Sequence, residues 1–188
     1  MLSFCASTGR AQSIQTPADV KLKAVVTLSR LDVAICGVRA LVGFEDSAKD
    51  PPQLFDASVI ATGKLKAGKL TGLATVITID HLDWINGRFI QSDVPTDVHF
   101  AIEGQPGTVQ IDAHTDGGTT LSGVVNNDPG GKLGPELIGA LVHSRPVLMF
   151  VIVGVDSWAI RVVGGMSPAD QHALEDCSTR LNSMASAR

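Results

Sequence analysis

Seven consecutive apolar side chains, Val147-Leu148-Met149-Phe150-Val151-Ile152-Val153, constrain this chain's fold more than any other stretch. As a strand, such a run puts oily groups on both faces, and both must be covered. The segment is therefore expected at the centre of a sheet. After the turn Gly154-Val155-Asp156 a second segment alternates, with Trp158, Ile160 and Val162 on one face and Ala159, Arg161 and Val163 on the other. That pattern suits a strand nearer an edge, with Arg161 reaching solvent. Gly164-Gly165 then leads into a helix: Ser167 can cap it, Pro168 suits its first position, and Asp170 meets the positive end of the helix dipole. Ala169, Ala173, Cys177 and Leu181, joined by Leu174, form an apolar stripe expected to lie on the sheet.

Upstream, alternation dominates. Val20 to Ser29 reads as a half-exposed strand, and Val33 to Phe44 as a buried one with a bend or bulge at Gly37. Glu45 to Gln53 is polar and carries Pro51-Pro52, so it reads as a surface loop. Leu54 to Thr62, the lysine-bearing Lys64 to Gly72, and Thr71 to Ile79 follow as strands. Asp80 to Asp97 reads as loop pinned by Trp84 as a buried aromatic, with Trp84, Asp80 and Asp93 as candidate binding residues; Asp80, His81 and Asp83 near Trp84 could line a pocket, although a polar loop is the simpler assignment. Val98 to Glu103 and Thr108 to His114 form a hairpin, and pairing Glu103 with Thr108 sets Phe100 opposite Ile111 and His99 opposite Asp112. Thr120 to Val125 is a further strand, and Pro135 to His143 a short helix. The expected fold is α+β but mostly β: an antiparallel sheet, sandwich or partly closed barrel, with two helices towards the C-terminus.

The chain has 188 residues, enough for one domain with a full core. Residues 1–16 read as a leader or as the remnant of an export signal, and 17–188 as a single β-rich domain. Fifteen Lys and Arg against nineteen Asp and Glu give a net charge of −4, with the cations scattered, which argues against nucleic acid or an anionic lipid surface as partner. No apolar run reaches the roughly eighteen residues of a membrane-spanning helix.

Three cysteines are present. Cys5 lies in the leader; Cys36 and Cys177 both fall on core-facing positions. They read either as separate buried thiols, the simpler assignment, or as a bonded pair, which would require export to an oxidising compartment. Chemistry-bearing motifs are few. His99, Asp112 and His114 share one face of the expected hairpin and could hold a divalent transition metal, although polar residues also simply solvate a sheet face. No serine lies in a nucleophile-elbow setting, and no glycine-rich turn has the phosphate-loop or dinucleotide spacing. No cofactor is implied.

The order of strand Val147 to Val153, strand Trp158-Ala159-Ile160-Arg161-Val162-Val163 with Gly164-Gly165, and helix Ala169 to Cys177 resembles the C-terminal part of small bacterial envelope β-domains. These are the invasion-associated locus B group and the periplasmic accessory proteins of type VI secretion. The resemblance implies a periplasmic or secreted, non-catalytic domain working through protein contacts, the alternative location being cytoplasmic. The expected function is a binding or structural module using a sheet edge or the stretches Glu45 to Gln53 and Asp80 to Asp97. A metal-dependent hydrolase built on His99, Asp112 and His114, or a carrier of a small apolar ligand, are the alternatives.

Overall fold

Alternation of apolar and polar residues becomes strand almost everywhere it occurs. A computed structural model describes residues 14–15, 17, 19–28, 33–44, 53–66, 69–106, 109–114, 120–125 and 132–186. In chain order the strands are β1 (Ile14–Gln15), β2 (Asp19–Leu28), β3 (Val33–Phe44), β4 (Gln53–Lys66), β5 (Lys69–Ile85), β6 (Arg88–Gln91), β7 (Pro95–Ile102), β8 (Val109–His114) and β9 (Leu121–Val125). Helix α1 (Leu133–Val142), strands β10 (Val147–Val153) and β11 (Asp156–Val162), and helix α2 (Pro168–Ser186) complete the order.

The strands form one sheet in the order β1-β11-β10-β7-β8-β9-β5-β4-β3-β2, with β6 beside β5. Every pairing is antiparallel except β1 with β11. The sheet folds over on itself without closing into a barrel. Phe44 of β3 and Phe55 of β4 lie 5.7 and 5.6 Å from Trp158 of β11, so the two wings of the sheet face each other across a shared core. Their borders also approach, through a single bridge between Leu22 and Met166 and a hydrogen bond from the Ala24 amide to Asp170 Oδ1. The expected mostly-β architecture with two helices is what the chain adopts.

Helix α1 is apolar on most of its surface, with Leu137, Ile138, Ala140, Leu141 and Val142 all buried, and it packs on β3, β4, β7 and β10. Helix α2 is amphipathic and lies on β2, β3 and β5. Its start follows the expectation. Ser167 Oγ accepts the Asp170 amide at 3.1 Å and donates to Asp170 Oδ2 at 2.6 Å, a reciprocal cap. The Ser167 hydroxyl first, and then the Ala24 amide, hold the Asp170 carboxyl below its ordinary range. A depressed folded-state value means stabilisation that is present above the ordinary value and lost as pH falls through the folded one. Asp170→Asn should therefore lower the urea midpoint at neutral pH, with the gap to the native protein shrinking as pH falls below about 4. A gap independent of pH would contradict this.

Several expectations are corrected. Strand β10 is interior in the sheet, between β7 and β11, but only one of its faces is sealed: Val147, Met149, Val151 and Val153 are buried while Ile152 is 38% exposed. The facing wing of the folded-over sheet packs on the side that Val151 shares with its neighbour Trp158, and the other side, Leu148, Phe150 and Ile152, is only partly covered among the described residues. The buried stripe of α2 is Leu174, Cys177 and Leu181, an i, i+3, i+7 set that shares one face; Ala169 and Ala173 are exposed, because at about 100° per residue they lie to the side of that face. Gly37 marks no bulge. Its register with β2 and β4 is unbroken, and an added Cβ would fall 2.2 Å from the Val59 carbonyl oxygen, so glycine there permits close approach of two backbones. The irregularity lies instead at Gly63/Lys64. Cys36 and Cys177 are not separate thiols but a disulfide, which pins the middle of α2 to β3.

Candidate functional site

The stretch Asp80 to Asp97, expected as loop, is mostly strand. Strand β5 continues to Ile85, and Asn86 and Gly87, with φ of 53° and 79°, make a tight turn into β6. Two left-handed residues in succession match the twist of the flanking strands, which is why Asn-Gly is favoured there. Trp84 is directly opposite Phe89 in this hairpin, and their rings meet edge to face at 4.8 Å. Trp84 is no buried anchor: it is 40% exposed and Phe89 46%, with Ile85 also exposed beside Arg88. The turn thus holds a rigid aromatic pair in solvent.

Asp80 sits at the base of the hairpin, where β6 and β9 follow one another along the same side of β5. Its Oδ1 accepts from Thr120 Oγ1 at 2.6 Å and from Gln91 Nε2 at 3.0 Å, so it ties the two strands together. Asp93 is exposed in the turn before β7. The structure therefore gives Asp80 a bracing role and leaves Trp84 at the exposed tip. His81, which with Asp80 and Asp83 near Trp84 could have lined a pocket, is instead buried and stacks on Phe55 with ring centroids 4.8 Å apart. Of the stretch Glu45 to Gln53, residues 45–52 lie outside the described residues, and Gln53 opens β4.

The proposed metal trio changes neighbours. In the observed register His99 is opposite Gln110 and Phe100 opposite Val109, a slip of two residues from the expected pairing. Alternation fixes which face a residue takes, and a slip of two preserves the face while changing the partner. Asp112 pairs instead with Val124, and His114 with Ser122. His99 Nε2 lies 2.7 Å from Asp97 Oδ2 on its own strand. The side chains of Asp112 and His114 lie outside the described residues, and among the described residues no group of three or more His, Cys, Asp or Glu could hold a metal ion.

A second feature is a cleft of about 330 Å³ between α1 and α2, running beside a smaller cavity of about 150 Å³ that reaches Cys36. No sequence motif announced it, since its walls come from helices separated by two strands.

Comparison of the chain with protein-family models, curated proteins and solved structures returns no match.

Among the described residues no helix is long and apolar enough to cross a membrane.

Proposed function

We propose that this chain is a non-enzymatic binding module of a bacterial envelope, periplasmic or secreted, which acts through protein contacts made by the tip of the β5–β6 hairpin. One observation carries the reading: Trp84 and Phe89 stand in solvent as a preformed pair on a turn whose geometry is fixed by Asn86-Gly87. Aromatic side chains supply large contact area with few rotatable bonds, and a rigid hairpin loses little entropy when it docks. Folding alone gains little from them there, since an exposed cross-strand aromatic pair contributes about 1 kcal/mol at most. The Cys36–Cys177 bond supports an oxidising compartment.

Placing a photo-crosslinking residue by Phe89→p-benzoylphenylalanine, in cells that make the protein, should give one discrete adduct. The same residue at Arg180, exposed on α2, should not give it. The double substitution Trp84→Ser with Ile85→Ser should then abolish that adduct while moving the thermal midpoint by only a few degrees. No adduct at position 89, or the same adducts from both positions, would rule the hairpin out.

A further inference from the structure

We infer that the cleft between α1 and α2 binds a small amphiphile with an apolar arm and a cationic head. This does not rest on the hairpin reading. Two glycines of α1 set the problem. A Cβ at Gly134 would fall 2.0 Å from Thr75 Oγ1, so close packing of the helix on β5 demands glycine. At Gly139 a Cβ would meet nothing within 4 Å, and the backbone is ordinary helix. Glycine in a helix interior costs about 1 kcal/mol relative to alanine. Neither packing nor backbone geometry requires it at position 139. What it does is leave one wall of the cleft open.

The space so preserved, about 330 Å³, is of the size that small ligands occupy. Ile138 and Val142 from α1 and Leu174 from α2 line it and are buried, giving an apolar interior. The adjoining cavity shares Ile138 and Ser178 with it and extends the apolar surface to Leu181 and the disulfide at Cys36, which suits an extended hydrocarbon arm. The exposed rim has the opposite character. Glu175 is the only carboxylate among the described lining residues, which also include the His143 imidazole just past the end of α1, while the last carbonyls of α1 are taken up by the amides of His143, Ser144 and Arg145 and by Gln171 Nε2. The Ser178 and Thr179 hydroxyls add acceptors that tolerate a donor group. On this rim the Glu175 carboxylate repels carboxylate and phosphate heads and attracts an ammonium group.

Octylammonium, octan-1-ol and octanoate, each titrated into the full chain and followed by calorimetry and by methyl NMR, test the assignment. Octylammonium should bind and shift the Ile138 and Leu174 methyl signals. Octanol should bind roughly tenfold more weakly for want of one charge-assisted contact, and octanoate not at all. Glu175→Gln should reduce octylammonium to the octanol level. Gly139→Leu should fill the cleft and abolish binding while leaving the melting temperature equal to or above that of the native protein. If that variant does not fold, Gly139→Ala, whose added methyl enters the same space, should weaken octylammonium binding and diminish the methyl shifts. Absence of octylammonium binding, equal binding of octanoate, or unmoved Ile138 and Leu174 methyls would each overturn the proposal.

Discussion

Replacing Cys177 by serine is expected to cost this fold about 4 to 5 kcal/mol, measured as the drop in unfolding free energy from urea titrations under non-reducing conditions. The bond joins residues 141 positions apart, and in the chain-entropy treatment a crosslink over that length removes about 5 kcal/mol of freedom from the unfolded chain. Cys36 and Cys177 are also fully enclosed, at 2% and 1% exposure, so the serine hydroxyl would enter an apolar site. The loss should fall on α2 first, since the bond fixes its centre on β3 while the reciprocal Ser167–Asp170 cap holds only its beginning. Enclosure also predicts that mild reductant leaves the folded protein untouched and acts only once urea opens it. Of the three cysteines, one should react in denaturant without reductant. Three reactive thiols would show that the bond does not form.

Phe55→Ala should cost about 3 to 5 kcal/mol and broaden the near-ultraviolet signature of Trp158. Phe55 is wholly buried, and its ring lies 6.1 Å from Phe44, 5.6 Å from Trp158 and 4.8 Å from His81. It stands where the two wings of the sheet meet. The cavity left by the ring would be bounded by β strands on both sides, whose backbone ladders resist collapse, so little of the loss should be recovered by relaxation. Phe89→Ala, the same change at the exposed hairpin tip, should cost about 1 kcal/mol or less. Comparable losses at the two positions would mean that the wings are not held together as described.

Most of the strands, the two helices and the cap at Ser167 were legible in the sequence because each depends on local spacing. Trp158, Ile160 and Val162 share a buried face as their alternation requires, and Arg161 reaches Glu103 at 2.8 Å on the other. What spacing could not give was the partner across the gap. The run at Val147 said strand, but not that its outer face would stay half open on a folded-over sheet. Alternation around Phe100 fixed its face but left the hairpin free to slip by two residues, which separated His99 from Asp112. Asn86-Gly87 was a usable hairpin signal. That pair and Pro95 made all of 80–97 read as loop, whereas the pair joins two strands, Pro95 opens β7 and Asp80 braces the strands around it. The cleft had a single clue, a glycine inside a helix, readable only once its surroundings were known to be empty.

The earliest strands find their partners in β11 and α2: Ile14 beside Ala159, the Ala24 amide on Asp170, Cys36 bonded to Cys177. A ribosome delivers the chain N-terminal side first, so β2 to β5 emerge as a meander able to zip up by neighbour pairing while its closing pieces are still unmade. Completion must wait for β11 and α2, and until then the apolar inner side of that meander is open to chaperones and to other nascent copies. Truncation or stalling before α2 is made should therefore be far more damaging than the modest size of that helix suggests.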